Sequence, residues 1–138
     1  MNKYIAAYAG TFFVLVSLDM IWLSVIAKPL YQQGIGHLLA DNPQVGVAML
    51  FYLLFALGLL VFAVLPQHGG SGWVGTVILS ALFGFFAYAT YDLTNLATLR
   101  GWPLDLSLLD LGWGTVVSAV AGAGGKAALD WATTRPSP

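Results

Sequence analysis

The chain has 138 residues, of which 59% are hydrophobic and 8% are charged, and its net charge at pH 7 is -1. A soluble domain carries roughly 25% charged residues, so this composition predicts an integral membrane protein. Cysteine is absent, which excludes disulfides, thiolate nucleophiles and cysteine-ligated metals, and the weakly negative charge argues against nucleic acid as a partner.

Four apolar segments are long enough to cross a hydrocarbon core, which takes ~20 helical residues. They predict an all-α protein, an integral membrane four-helix transmembrane bundle that forms a single domain. The helices are expected near residues 4–27, 45–65, 73–99 and 108–129. The first segment is too long for the apolar core of a cleaved signal peptide, so we expect it to be retained. The tail from 131 to 138 is expected to be disordered.

The connections predict antiparallel neighbours. The short loop 66–72 is rich in Pro and Gly and makes the second and third helices adjacent. The longer first loop is expected to form an amphipathic turn on the membrane surface, with Tyr31, Ile35, Leu38 and Leu39 towards lipid. Lys and Arg near the helix ends set the orientation, and we predict that both termini are cytoplasmic. The inner side then carries Lys3, Lys126 and Arg135, and the outer side carries Lys28 and Arg100.

Polar side chains concentrate in the half of the predicted bundle where the first and third helices end and the second and fourth begin. At 1.5 Å per residue, Asp19 lies ~12 Å and Asp92 ~10 Å inside their helix ends. The candidate pocket residues of this half are Asp19, Tyr52, Tyr88, Asp92, Asn95, Asp110 and Trp113. Lys28 and Arg100 lie at its mouth as a candidate gate that could hold an anionic headgroup or a carboxylate.

Asp92 is the most informative of these residues. Tyr88, Asp92 and Asn95 recur at i, i+4 and i+7, so they share one helix face. An aspartate at the centre of a helix in lipid costs about 2.5 to 3.5 kcal/mol, so such residues face partners or water. We therefore expect it to point inward, at Asp19, Tyr52 and Asn95. Two or three carboxyl groups at one depth favour keeping a proton on at least one of them, which predicts a pocket sensitive to protons or cations.

Three of the acidic residues also have a purely structural interpretation. Ser107-Leu-Leu-Asp110 resembles a capping box, in which Ser107 is the N-cap and Asp110 only satisfies the start of the helix. Asp19 and Asp92 could instead form a polar clasp that holds the helices together.

Other polar and aromatic residues favour surface roles. His37 and Asp41, at i and i+4 in the first loop, are expected to be a solvated pair, and we predict no metal site and no cofactor. The tryptophans expected to anchor helices at the membrane interfaces are Trp22, Trp73, Trp102 and Trp131.

The fourth helix carries two further patterns. Gly114, Ser118 and Gly122 are spaced by four, which lets another helix approach closely, either within the chain or in a homo-oligomer. The fragments SLDMIW and LLDLGW share an Asp-x-x-Trp pattern in helices of opposite direction. This pattern is too short to establish an inverted repeat.

Several blocks of the sequence resemble the signature of an uncharacterised family. They are GHLLADNP, FYLLFALGLLVFAVLP and FAYATYDLTNLATLRGWPL, with LDMIWL in the first helix and LLDLGWGTV in the fourth. The family is that of predicted membrane proteins known as domain of unknown function 2177, and the resemblance covers nearly the whole chain. It implies a small four-helix membrane protein of a bacterial cytoplasmic (inner) membrane, and it implies no activity, substrate or catalytic residue.

Three classes of function are compatible with these features. A protein that binds or transports a small amphiphile, lipid or cation, with membrane lipid as its partner, explains the one-sided polarity best. A structural or assembly subunit of a membrane complex is the alternative, and it predicts that Asn serves as well as Asp. A lipid-modifying enzyme, or its accessory subunit, would use an Asp as general acid or base. The sequence offers no Cys nucleophile and no membrane-embedded His, so a role without catalytic residues is favoured.

Overall fold

The computed structural model describes residues 2–67 and 72–134. The α-helices of this part of the chain are α1 (Lys3–Ile21), α2 (Lys28–Ile35), α3 (Val45–Leu59), α4 (Trp73–Thr98) and α5 (Leu104–Thr134). The π-helical turns Trp22–Ile26 and Leu60–Val64 continue α1 and α3, and 3-10 turns follow at Gly36–Leu38 and Leu65–Gln67. Within the described residues, the segments long and apolar enough to cross a membrane are Lys3–Ile26, Val45–Gln67, Trp73–Thr98 and Leu104–Thr134. The predicted all-α class with four membrane-spanning helices is thus confirmed.

α5 is the central helix of the bundle, because both α1 and α4 pack along it. α3 packs against α1, and the second span contacts α4 through the π-helical turn Leu60–Val64 and through Phe55 of α3, whose ring meets Phe83 and Tyr88. The core between the spans contains Leu15 of α1, Phe55 and Leu59 of α3, and Val117 and Ala121 of α5. Large outward side chains such as Phe13 and Phe62 are exposed. Apolar surface of this extent is expected where a protein meets lipid rather than water.

The stripe Gly114, Ser118 and Gly122 faces α4 of the same chain. The ring of Tyr88 covers Gly114, and the side chain of Ser80 covers Gly122. All three stripe residues are buried, so the stripe serves packing within the chain. The predicted homo-oligomer contact through these residues would have to displace α4.

A second set of small residues holds α1 against α5. A Cβ added at Gly10 would lie 2.9 Å from Ala128 Cβ, and one added at Gly124 would lie 2.8 Å from Val14 Cγ2. Carbon atoms pack best at ~3.5–4.0 Å, so these positions need glycine. Small residues on two faces of α5 therefore allow a close neighbour on each side.

α5 begins earlier than predicted, at Leu104 instead of residue 108. The chain turns sharply at Gly101, whose φ of 71° suits glycine, and re-enters helix directly after Pro103. The Ser107 hydroxyl donates to the Pro103 carbonyl oxygen at 2.9 Å, inside the first turn. Ser107 is therefore not an N-cap, and the interpretation of Asp110 as a capping residue is wrong.

α5 also ends later than predicted. It continues through Thr134, so the predicted disorder of the tail is wrong for residues 131–134. Threonine hydroxyls of the last turn donate to backbone carbonyls of the preceding turn, and the first position that disfavours helix is the one before Pro136. Residues 135–138, with Arg135, lie outside the described part of the chain.

The first loop folds back onto the bundle as α2, which corrects the predicted turn on the membrane surface. Ile35 is buried against Trp102, and Tyr31 packs beside them. Leu38 and Leu39 are exposed, as predicted. Burial of Ile35 against the end of the bundle explains why α2 covers the polar half instead of lying flat in the interface.

Candidate functional site

Asp19 joins three of the four spans. It lies in the last turn of α1 and is 6% exposed. The Tyr52 hydroxyl of α3 donates to its Oδ2, and Nε1 of Trp113 in α5 donates to its Oδ1 at 2.9 Å. Each carboxylate oxygen therefore has a donor, which offsets the cost of burying the group.

Asp110 is the centre of a second polar cluster. It is 5% exposed, and the Tyr31 hydroxyl of α2 donates to its Oδ1 at 2.6 Å. The carboxyl of Asp92, which is 1% exposed, comes from α4 to lie beside the Asp110 carboxyl. A hydrogen bond between the two carboxyls would require a proton on one of them. Asp92 Oδ2 has no hydrogen-bond partner among the described residues.

Tyr31 belongs to α2, outside the membrane-spanning segments. Burial, together with the hydrogen bond to Asp110, raises the pKa of Tyr31 above its ordinary value. The phenol therefore stays a hydrogen-bond donor to Asp110 at neutral pH.

The two Asp-x-x-Trp fragments meet in space. Trp22 stacks on Trp113 with ring centroids 4.5 Å apart and an interplanar angle of 4°. Trp113, which follows Asp110 by three residues, donates to Asp19, which precedes Trp22 by three residues. Each tryptophan thus shares a helix face with one aspartate, and the stack holds the two faces against each other.

The expected contacts of Asp92 differ from those observed. The prediction directed it at Asp19, Tyr52 and Asn95, but the structure pairs it with Asp110. The reason is the central position of α5, which receives α4 on one side and α1 on another. An acid on α4 therefore meets the start of α5, while the acid on α1 meets α3 and Trp113.

A cavity of about 900 Å³ lies between these two clusters and the first loop. Its polar lining comprises Asp19, Ser24, Lys28, Tyr31, Gln32, Tyr88, Tyr91 and Asp110, and its apolar lining comprises Met20, Trp22, Leu23, Ile35, Leu39, Ala40, Pro43, Phe51 and Ala87. The acids come from the spans and form the inner end, whereas Lys28, Leu39, Ala40 and Pro43 form the mouth. The site therefore offers carboxyl groups at its base and an apolar wall beside them.

A family model described as Predicted membrane protein (DUF2177) matches residues 4–127. This chain belongs to that family. The match includes every acidic residue of the two clusters, and the family description agrees with the four apolar spans. Comparison with curated proteins and with solved structures finds no match.

The predicted pocket and gate residues fall into three groups. Asp19, Tyr88, Asp110 and Lys28 line the cavity directly. Tyr52 and Trp113 reach it through Asp19, and Asp92 reaches it through Asp110. Asn95 and the exposed Arg100 lie outside its lining. Of the two bases proposed as a gate, the structure thus brings only Lys28 to the mouth.

Four aromatic residues that line the cavity were not among the predicted pocket residues: Trp22, Tyr31, Phe51 and Tyr91. Trp22 was expected at the membrane interface, but it is 7% exposed and lines the cavity. Its spacing of three from Asp19 was a usable signal, because such residues share a helix face. Tyr31 carried no comparable signal, since it reaches Asp110 only because α2 folds onto the bundle. Trp102 is likewise buried, while Trp73 and Trp131 are exposed as predicted for anchors.

His37 does not line this cavity. Within residues 2–67 and 72–134, no group of three His, Cys, Asp or Glu side chains could hold a metal ion. His37 and Asp41 are both exposed in the first loop, and His68 lies outside the described residues.

Proposed function

We propose that this protein binds a small amphiphile from the membrane, with the polar head at Asp19 and Asp110 and the apolar part along the cavity wall. The observation that carries this proposal is the cavity of about 900 Å³ with carboxyl groups at its inner end. Ligand sites typically measure roughly 300 to 1,000 Å³. Met20, Leu23 and Phe51 line the same space, so acidic and apolar surfaces lie side by side, as an amphiphile requires.

Access from the bilayer supports a ligand that arrives through lipid. Residues 45–51 at the start of α3 are all exposed. Leu60–Val64 packs on α4, and Phe55 of α3 contacts the rings of Phe83 and Tyr88. The part of α3 open to lipid is therefore its exposed start, where Phe51 lines the cavity. An alkyl chain can lie along this exposed start of α3 with its head inside the cavity.

A structural clasp is the second candidate function, and one observation favours it. Both oxygens of Asp19 already accept hydrogen bonds, from Tyr52 and Trp113, so this acid ties three spans together without any ligand. The Asp110 cluster differs, because Asp92 Oδ2 lacks a hydrogen-bond partner among the described residues. We therefore propose that Asp19 also ties the helices together, while the cavity as a whole binds the ligand.

Native mass spectrometry on protein released gently from its membrane tests the proposal. Ala87 lines the cavity, so Ala87→Phe is expected to fill part of it and to displace the ligand. Ala97→Phe is the matched control, because Ala97 lies on the same helix, is exposed and does not line the cavity. We expect a defined amphiphile to accompany the wild type and Ala97→Phe and to be lost from Ala87→Phe.

The proposal fails if wild type and Ala87→Phe carry the same bulk lipids and are equally stable. Asp19→Asn then separates the two candidate functions. A lower free energy of unfolding in this variant, with the bound species unchanged, assigns Asp19 to the clasp alone.

We further propose that the protein lies in the cytoplasmic (inner) membrane of a bacterium with both termini in the cytoplasm. Lys3 and Lys126 lie at one end of the bundle and Lys28 and Arg100 at the other, and in the sequence Arg135 directly follows Thr134, the last residue of α5. Counted with Arg135, the end with both termini has three cations against two, and the excess of positive charge marks the inner side. Because the chain has no cysteine, single cysteines report sidedness cleanly. A cysteine at Gly36 is expected to react with an impermeant maleimide outside intact cells, and one at Asn2 is expected to react only after lysis. The reverse pattern would invert the orientation.

A further inference from the structure

The inner end of the cavity has acids without cations. Asp19, Asp92 and Asp110 are each at most 6% exposed. In residues 2–67 and 72–134, no Lys, Arg or His forms an ion pair with any of them. The ion pair that these residues do show, Lys126–Asp130, lies towards the opposite end of α5. Buried carboxylates in a membrane ordinarily pair with a cation or keep a proton.

Three hydrogen-bond donors beside these acids are already in use. The hydroxyls of Tyr31 and Tyr52 and the indole N–H of Trp113 all point at Asp19 or Asp110. Trp22 Nε1, which belongs to the cavity lining, is buried without a hydrogen-bond partner among the described residues. The inner end therefore presents carboxyl oxygens together with this indole N–H. Carboxylates there would repel an anionic head, whereas a head that carries positive charge and N–H donors would complement them.

Aromatic rings surround the same space. Trp22, Tyr31, Tyr88 and Tyr91 line the cavity, and Trp22 is held by its stack on Trp113. Faces of Trp and Tyr attract ammonium groups, more strongly at desolvated sites than at exposed ones. Aromatic faces together with carboxylates form the combination that recognises organic cations.

We propose that the polar head of the ligand is an ammonium group, held by the carboxyls of Asp19 and Asp110 and by the aromatic faces of Trp22, Tyr31 and Tyr88. This inference rests on the proposed function and names the class of its ligand. It is supported by the contrast along the cavity, where the acids lie at the inner end and Lys28 lies at the mouth.

Two kinds of ligand share this chemistry. A free amine with an apolar tail would use the acids alone and would pass Lys28 without a contact. An aminophospholipid would place its ammonium at the acids and its phosphate at Lys28, since Lys binds phosphate oxygens by charge. The dependence of binding on Lys28 therefore distinguishes the two sources.

Three probes with one tail test the head group: dodecylammonium, dodecanoate and dodecanol, added to protein in a neutral detergent. Binding is followed by the fluorescence of the tryptophans, two of which, Trp22 and Trp113, adjoin the cavity acids. We expect dodecylammonium to bind at least about tenfold more tightly than dodecanoate or dodecanol, because only its ammonium group can form a buried charge contact with the carboxyls. Asp110→Asn and Asp19→Asn are each expected to weaken it by about tenfold.

Asp41→Asn is the matched control, since Asp41 is exposed in the first loop and outside the cavity lining; it is expected to leave binding unchanged. Because Asp19 also ties three spans together, helicity and monodispersity are checked for each variant. If Asp19→Asn fails to fold, the effect of Asp110→Asn on dodecylammonium binding tests the ammonium inference by itself. Ala87→Phe supplies a variant that is expected not to bind although all its acids are in place.

Lipid nanodiscs then separate the two sources. If phosphatidylethanolamine competes with dodecylammonium, phosphatidylglycerol does not, and Lys28→Gln weakens only the lipid, the ligand is an aminophospholipid. If neither lipid competes and Lys28→Gln has no effect, it is a free amine.

Two results would count against us in different ways. Equal binding of dodecanoate and dodecylammonium, abolished in both cases by Ala87→Phe, overturns the ammonium inference and leaves the amphiphile site standing. Failure of every probe to bind, with no bound species in the wild type, overturns the proposed function itself.

Discussion

Replacing Gly122 with alanine tests the close packing of α4 on α5. The added Cβ would lie 2.6 Å from Ser80 Cβ, whereas carbon atoms pack best at ~3.5–4.0 Å. The helices must therefore separate by about 1 Å at this level. Overpacking of this kind costs about 1–3 kcal/mol, and we expect Gly122→Ala to lower the free energy of unfolding by that amount. Moving α4 outward also weakens the contact between Asp92 and Asp110.

The matched control is Gly112→Ala, on the same helix, where an added Cβ meets no atom within 4 Å. It is expected to change stability by less than about 1 kcal/mol, the full difference in helix propensity between Gly and Ala. Unfolding is followed by tryptophan fluorescence during titration of mixed micelles with dodecyl sulfate. Ser80→Gly combined with Gly122→Ala removes the overlap and is expected to restore part of the loss. Equal midpoints for Gly122→Ala and Gly112→Ala would refute the packing that we describe.

Three further predictions use the same unfolding assay or a pH titration. Tyr52→Phe removes one of the two donors to Asp19 and is expected to cost about 1–2 kcal/mol, because interhelical hydrogen bonds in membranes contribute at most that much; an unchanged midpoint would contradict this contact. Lys126→Met removes the ion pair with Asp130 and the contact with the Trp73 ring. We expect it to lower the free energy of unfolding by about 1 kcal/mol or less, because the Asp130 side chain is 44% exposed, and to leave ligand binding unchanged. The pKa of Tyr31 is raised in the folded protein, so its contribution to the free energy of unfolding is fully present below pH ~10 and is lost as pH rises further, because the unfolded phenol ionises first. We therefore expect Tyr31→Phe to reduce the fall in the free energy of unfolding at alkaline pH. An identical fall in both proteins would count against the buried phenol.

Depth in the membrane could be predicted from the sequence because lipid fixes the length of each span. The rise of 1.5 Å per residue placed Asp19, Tyr52 and Trp113 in one layer, and the structure joins them by hydrogen bonds. The rotation of each helix about its axis and the identity of its neighbours were harder to predict. All four helices are apolar on most faces, so hydropathy does not indicate which helices pack side by side. For this reason the prediction placed Asp92 against Asp19 instead of Asp110.

The sequence contains a signal for the central position of α5, namely small residues on two of its faces. Gly114, Ser118 and Gly122 mark one face, while Gly124 and Gly125 mark another, and each face receives a different helix. A helix with small residues on two faces can accept two close neighbours, which predicts a position between them. The fold of α2 had no such signal, since its docking depends on the burial of Ile35 against Trp102 after the spans have assembled.

The two halves of the bundle are held together by different contacts. In the half away from the cavity, glycines bring α1 and α4 onto α5, and Leu60–Val64 brings the second span onto α4. In the other half, Phe55 of α3 contacts Phe83 and Tyr88 of α4, and hydrogen bonds to Asp19 and Asp110 add further connections between the helices. These polar contacts lie around a cavity instead of a closed core. The acids thus tie helices of this half together, and in the proposed function the same carboxyls hold the cationic head of the ligand.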